Sequence, residues 1–331
     1  MVPAFFSKAM ILFNCDYSEG AHADILRRMA ETNMEQTAGY GEDPYCDQAR
    51  KLIAGLCGRT DLDIHFLIGG TQTNFTVIAA ALRPHQCVLC ADTGHINVHE
   101  SGAVEACGHK VSAIPSPDGK LTARQIEEAW HAHWDDETRE HMPQPRMVYI
   151  SQPTELGTIY SRKELQEISG VCRRRGLYLY MDGARLGYGL CDEDNDLDLP
   201  AIASLCDAFY IGGTKVGALF GEALVLRHEA LKEDFRYIAK QKGGRLAKGR
   251  LLGIQFLELF RDGLYFRLGA HADRLAVMLR DFCRSRGLSL PFSSGTNQQF
   301  VTMPDSVLEE LGRKYGFAYL RREDETHSTV R

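Results

Sequence analysis

Three short runs put chemically capable residues directly after apolar segments of strand length. Gly69-Gly70-Thr71-Gln72-Thr73-Asn74 follows Ile64–Ile68 and leads into a helix-like run from Phe75 to Leu82. A glycine turn feeding a helix start offers free backbone N–H groups and the positive end of the helix dipole, which suits a phosphate. The run has neither Walker spacing nor a dinucleotide fingerprint, and plain turn chemistry explains it equally well. Asp182, followed by Gly183-Ala184-Arg185, closes the run Leu177–Met181. A carboxylate there needs a cationic partner, because burying its charge alone is costly. A protonated pyridine nitrogen is one such partner; a helix N-cap or an Asp–Arg pair are others. Lys215 is reached through Phe209–Thr214, 33 residues after Asp182. Desolvation and nearby cations lower the pKa of such an amine and make it a nucleophile for an aldehyde, whereas a lysine in an open loop is merely solvated.

The elements that must position these groups are legible as texture. Apolar runs bounded by Gly, Pro and Asp recur at Ile64–Ile68, Cys87–Cys90, Met147–Ile150, Leu177–Met181, Ala208–Ile211 and Ala223–Leu226. Helix-period segments lie between them, such as Thr122–His133, Arg162–Arg175 and Leu199–Leu205. The alternation predicts an α/β protein whose large domain is a mostly parallel sheet sandwiched by helices, with ligands at the carboxyl ends of the strands. Beyond about residue 230 the sequence turns helix-rich, with Gln298–Met303 a predicted strand. A large domain over 1–232 and a smaller α+β domain over 233–331 are therefore expected. The two should pack closely, since no repeat or low-complexity linker separates them.

Taken in order, these residues resemble the pyridoxal-phosphate enzymes of fold type I, the aspartate-aminotransferase-like class, and most closely the threonine aldolase and β-eliminating lyase family. The resemblance is carried by Tyr17-Ser18, Ala21-His22, Tyr40-Gly41-Glu42-Asp43-Pro44, Gly70-Thr71 with Asn74, and Gly94-His95-Ile96. Asp118-Gly119-Lys120-Leu121, Asp182-Gly183-Ala184-Arg185 and Thr214-Lys215 extend it over nearly the whole chain. It implies pyridoxal 5'-phosphate as cofactor and cleavage of L-threonine-like or L-allo-threonine-like amino acids to glycine and an aldehyde. β-Elimination and transamination are alternatives on the same framework, and a catalytically silent relative is another.

Residue by residue, Lys215 matches the lysine that holds the cofactor covalently and Asp182 the acid on its pyridine N–H. Arg185 matches the arginine near the 3-hydroxyl and the substrate. His95 matches the histidine that stacks on the ring and helps move the substrate's proton. Gly70 and Thr71, with Gln72 beside them, match the phosphate cradle, and Thr214 precedes the lysine. Tyr40 matches a tyrosine that reaches the neighbouring subunit, which implies a homodimer or homotetramer with shared sites. Arg331 matches the arginine that holds the substrate carboxylate, a task suited to bidentate geometry. There are departures. Thr154-Glu155-Leu156 stands where the family carries Thr-His-Asn, which puts Glu155 near the substrate hydroxyl. Asn14 replaces a usual serine at the substrate, and Leu246 takes the place of the phosphate arginine, leaving Lys242, Lys248 or Arg250 to supply charge. The family also continues past Arg331 with further structure, so the chain reads as truncated there.

Bulk composition excludes several other classes. With 44% hydrophobic and 25% charged residues the chain is ordinary for a globular protein, and it has no run of about eighteen apolar residues for a membrane span. Met10-Ile11-Leu12-Phe13 is too short for a signal core, so the start is expected to be a strand or docking segment of a cytoplasmic protein. Ten cysteines without framework spacing fit reduced thiols. A net charge of −6 offers no nucleic-acid face. Arg173-Arg174-Arg175 reads as a solvated helix end. Asp192, Asp194, Asp196 and Asp198 mimic a calcium loop, but Leu197 and Ala203 stand where glycine and glutamate are required, leaving a solvated acidic loop. Cys87 and Cys90 read as one buried strand, and His131, His133 and His141 as surface residues. No metal site is expected.

Overall fold

The computed structural model describes residues 10–331; residues 1–9, part of the expected leading segment, lie outside the described residues. Seven strands form the central sheet in the order Asp63–Leu67, Glu222–Leu226, Ala208–Gly212, Tyr178–Asp182, Gln144–Ser151, Gln86–Ala91 and Lys110–Ile114. Only Glu222–Leu226 runs antiparallel to its neighbours. The inner strands are buried along their whole length except at Gln144 and Arg146, and two apolar clusters lie against the sheet, one gathering Ile150, Leu179 and Phe209, the other Tyr149, Tyr180 and Tyr210. These residues alternate along their strands, so the clusters occupy opposite faces. The α/β class and mostly parallel sheet are as the sequence predicts.

Six of the strands stand within a few residues of the apolar runs. The seventh, Lys110–Ile114, is an edge strand in which only Val111 is fully buried, so it carries no apolar run to be read. Helix starts follow their capping chemistry. Thr122 with Gln125 and Ser161 with Glu164 form reciprocal capping boxes at Ala123–Trp134 and Arg162–Arg175, and the latter stops at Gly176 with φ 64°. Asp198 caps Leu199–Leu205, with Pro200 in its first turn.

Toward the C-terminus, the helix Arg250–Arg261 crosses Pro44–Leu56 so closely that a Cβ on Gly253 would stand 2.5 Å from the Cys46 nitrogen. After the helix Leu264–Ser285 comes a three-stranded antiparallel sheet ordered Tyr319–Arg322, His327–Val330, Val301–Pro304. The strand expected over Gln298–Met303 begins only at Val301, because Gln298 and Gln299 turn their amides onto backbone carbonyls of Thr154, Ser294 and Thr296. Ile11–Leu12 pairs with Tyr315–Gly316, so the described part of the leading segment contains a two-residue strand.

Three surface readings each fail at one residue. Asp192 is buried and accepts from the backbone N–H groups of Asp194 and Gly295, whereas Asp194, Asp196 and Asp198 are exposed, as expected of a solvated acidic loop. His133 is buried at the end of its helix, while His131 pairs with Asp135 at the surface. Arg173 and Arg174 are exposed, as expected of a solvated helix end, whereas Arg175 is half-buried, held by Glu127 and stacked on Trp130.

Candidate active site

The carboxyl ends of the parallel strands converge on one cavity of about 330 Å³, lined by Gly70, Thr71, Asp182, Arg185, Lys215, Glu155 and Glu222. Asp182 is the last residue of its strand and is 5% exposed. Four donors hold its carboxylate: Tyr149 Oη at 2.6 Å, Tyr210 Oη at 2.5 Å, Asn74 Nδ2 at 3.0 Å and the Ala184 N–H at 2.9 Å. Burial opposes the charge, but His95 and these donors outweigh it and keep the pKa below the ordinary value. The two tyrosine hydroxyls are rotors that can yield a lone pair to a stronger, charged donor entering the cavity. Asp182 is thus a permanent anion facing the cavity.

Lys215 lies half-buried just past the strand Ala208–Gly212. Desolvation first and the Arg185 guanidinium second lower its pKa, which raises the neutral, nucleophilic fraction. Thr214 is committed elsewhere: its Oγ1 donates to Glu222 at 2.8 Å and accepts from the Gly221 N–H. Burial raises the Glu222 pKa to about 8.

Gly70 and Thr71 begin the helix Gly70–Ala81, which starts earlier than the sequence suggests and has no side-chain cap. Its first N–H groups are therefore free to face a ligand. A Cβ on Gly70 would come within 3.0 Å of Tyr210 Oη, so only glycine leaves that wall open. Gln72 does not turn to the cavity. Its side chain accepts from the Ile68 N–H and donates to the Lys242 carbonyl, tying the helix start to the segment after the helix Phe235–Gln241.

His95 opens the short helix His95–Val98 after the strand Gln86–Ala91. Its Nδ1 lies 2.7 Å from Glu100 Oε1, and Asn74 Nδ2 bonds that same oxygen at 2.7 Å as well as Asp182. Burial works against a charged imidazole, but the Glu100 bond and the charge of Asp182 hold the pKa above its usual value. A second cavity of about 660 Å³ adjoins the first and shares Glu155, Arg185, Lys215 and His95 with it, adding His99 and Arg331. Arg185 forms a two-point pair with Asp16 at 2.6 and 3.1 Å, and Asn297 also donates to Asp16. Arg331 donates to Gln298 Oε1 and the Asn14 carbonyl, and its backbone pairs both ways with Ala318. Asn14 thus meets the site through its backbone.

The structure brings together Lys215, Asp182, His95, Gly70, Thr71, Arg185, Glu155 and Arg331. Tyr40 is outside both cavities, in a surface pocket with Arg236, Lys240 and Arg245. Of the basic candidates for a phosphate, Arg250 is occupied by the Thr32 and Glu35 carbonyls, Lys242 reaches Cys107, and Lys248 is exposed. Asp16, Glu100, Tyr149, Tyr210 and Glu222 carry no direct sign of their place in the site when read from the sequence alone. Polar-tipped tyrosines and a glutamate inside otherwise apolar strands are the signal that could have found the last three. Among the described residues no three His, Cys, Asp or Glu side chains gather to hold a metal ion, and no helix is long and apolar enough to cross a membrane.

An anion, a ring cation and an aldehyde are the three handles of pyridoxal 5'-phosphate. The uncapped helix start, the fully bonded Asp182 and the desolvated Lys215 answer one each, within a single cavity. The residues present fit the group.

Comparison with known proteins agrees with this geometry. Residues 15–306 match the family model described as beta-eliminating lyase. A low specificity L-threonine aldolase from a Pseudomonas species is 33% identical over 313 residues, covering 91% of this chain and 87% of that protein. The Pseudomonas aeruginosa protein of the same description is 32% identical over 90% of this chain and 86% of its own. Among solved structures, a Leishmania major threonine aldolase superposes with a TM-score of 0.94 at 45% identity, covering 97% of this chain and 92% of the other. A Thermus thermophilus aspartate aminotransferase superposes with a TM-score of 0.70 at 13% identity, over 99% and 94% of the two chains, which speaks to fold alone.

Proposed function

The chain belongs to the beta-eliminating lyase family, and from that premise we propose that it is a pyridoxal-phosphate-dependent aldehyde-lyase of the threonine aldolase type. Its substrates are β-hydroxy-α-amino acids such as L-threonine or L-allo-threonine, split between Cα and Cβ into glycine and an aldehyde. The observation that carries the reading is the common cavity of Lys215, Asp182 and the start of the helix Gly70–Ala81.

Lys215 is the residue to hold the cofactor, Asp182 to face its ring nitrogen, and the Gly70 and Thr71 N–H groups to face its phosphate. The cofactor, when bound, supplies an electron sink at the carbon next to the amino group. Everything else is the protein's share. Asp182, ionised and surrounded by donors, keeps a proton on the ring nitrogen. Arg185, which lines both cavities, and Arg331, which lines the larger one, are the cations to orient the substrate carboxylate. His95, which lines both cavities and is steered by Glu100, would pack against the bound ring and hold a proton at the substrate's edge.

Shared active sites in a dimer or larger assembly fit the exposed position of Tyr40, and a cytoplasmic setting fits ten cysteines none of which is paired. The test is direct. The purified protein with pyridoxal 5'-phosphate is mixed with L-threonine, L-allo-threonine and the D-isomers, and acetaldehyde and glycine are measured. No aldehyde from any of them removes the reading; pyruvate and ammonia in their place would mean β-elimination.

A further inference from the structure

We propose that the Glu155 carboxylate is the base that takes the β-hydroxyl proton of the substrate as the Cα–Cβ bond breaks. The inference rests on the aldol reading above and gives it a proton acceptor. Glu155 follows the strand Gln144–Ser151 and lines both cavities, so it stands where the cofactor site meets the space reached by Arg331. A substrate held by its carboxylate at Arg331 and by its amino group toward Lys215 spans that junction.

The two carboxylate oxygens differ. Oε1 accepts from the His95 N–H at 3.0 Å and from Ser151 Oγ at 2.8 Å, which fixes the side chain. Among the described residues Oε2 takes no hydrogen bond, and it is not among the buried orphaned atoms. A fixed carboxylate with one open oxygen is the arrangement that accepts a proton from a bound hydroxyl. Glu155 is faced by His95 from the adjoining helix, by Asp182 at the neighbouring strand end, by Arg185 after it, and by Tyr149, Tyr160 and Cys90 from behind. Burial first and the Asp182 charge second raise its pKa, which brings its basicity toward working pH. The rival histidines are placed otherwise: His99 is exposed at the cavity mouth, and His95 has its Nδ1 committed to Glu100.

The step balances. The O–H bond breaks and its proton goes to Oε2. The oxygen's electron pair forms the C=O double bond of the aldehyde, and the pair of the Cα–Cβ bond stays with Cα, where the electron sink that the cofactor would supply accepts it. Cα then gains a proton from solvent or a neighbouring acid, Glu155 returns its own to solvent, and glycine and aldehyde together carry every atom of the substrate.

The test is Glu155→Gln, whose amide oxygen still accepts from His95 and Ser151 but cannot take a proton. Exchange of the glycine α-proton in deuterated water, followed by NMR, needs no hydroxyl and is read beside threonine cleavage. The expected result is a fall in threonine kcat/KM of about 10²–10⁴-fold, loss of the acidic limb of its pH profile, and glycine exchange that persists. Glu155→Asp serves if the amide variant does not fold; it keeps the acidic limb at reduced rate, and a limb that vanished there would overturn the assignment. Cleavage at the unaltered rate with the limb intact would overturn it too, as would equal loss of cleavage and exchange, which marks a purely structural role. If the unaltered enzyme exchanges glycine but cleaves no hydroxy amino acid, the aldol reading itself has failed.

Discussion

Asp182 keeps its charge in a nearly dry site because four donors converge on it, and under the proposed function the protonation of a bound pyridine would depend on that charge. Asp182→Asn keeps the shape and removes the charge. Its cofactor absorbance should shift and turnover fall by at least about 10²-fold, the scale for losing one preorganised electrostatic group. Fluorescence-monitored cofactor titration alongside kcat checks this, and wild-type turnover would exclude Asp182 from the role. Asp16 gives a prediction in pH. Burial opposes its ionisation, but Arg185 pulls its pKa down to about 2 from an unfolded value near 3.8. A folded pKa below the unfolded one stabilises the native state above the unfolded pKa, and the benefit is lost as pH falls through the folded one. Asp16→Asn should therefore cost about 2 kcal/mol at pH 7 in urea unfolding, and the two proteins should converge as pH approaches about 2. An equal gap across that range would mean the pair with Arg185 contributes nothing through charge. Both partners in this pair were unequally legible: Arg185 was read from its motif, whereas Asp16, 169 positions earlier, is joined to it only by folding.

Elements were legible where local chemistry decides them. The helix Arg162–Arg175 is bounded by Ser161, Glu164 and Gly176, all readable in one dimension, and the structure gives the expected bounds. Lys110–Ile114 was illegible because its place at the sheet edge is set by pairing with Gln86–Ala91, and not by its own residues. Glycines at strand ends make the element argument testable. Gly183 packs so tightly that a Cβ would lie 1.9 Å from the Tyr210 carbonyl oxygen, where rigid backbone must shift, while a Cβ on Gly69 meets nothing within 4 Å. Gly183→Ala should destabilise by roughly 3 kcal/mol or more and spoil the Asp182 turn. Gly69→Ala, whose φ of −179° suits any residue, should stay within about 0.5 kcal/mol. Thermal unfolding of the two cofactor-free variants distinguishes them, and equal Tm values would contradict the packing. The expected helix start at Phe75 failed for a related reason. Gly70 is a poor helix former in isolation, yet it opens the helix at a position where a Cβ would stand 3.0 Å from Tyr210 Oη, tighter than an ordinary contact.

At the scale of the molecule, the question is why a tyrosine in a functional motif stands away from its own chain's cavities. Tyr40 adopts φ 58°, a left-handed conformation that costs a non-glycine residue energy. Its ring sits under the Lys240 ammonium at 4.4 Å, and its carbonyl accepts from Arg245. A strained, 45% exposed aromatic backed by cations fits a residue presented outward to a second copy of the chain. If so, the sites of a two-fold dimer each draw Lys215 from one protomer and Tyr40 from the other. Mixing two inactive variants, Lys215→Ala and Tyr40→Ala, separates the cases after unfolding and joint refolding. With shared sites, a mixed dimer concentrates both lesions in one site and leaves the other intact. Random pairing makes half the dimers mixed, so activity should recover to about a quarter of the unaltered level. If Tyr40 served only its own chain, both sites of every mixed dimer would carry a lesion and the mixture would stay as inactive as its components.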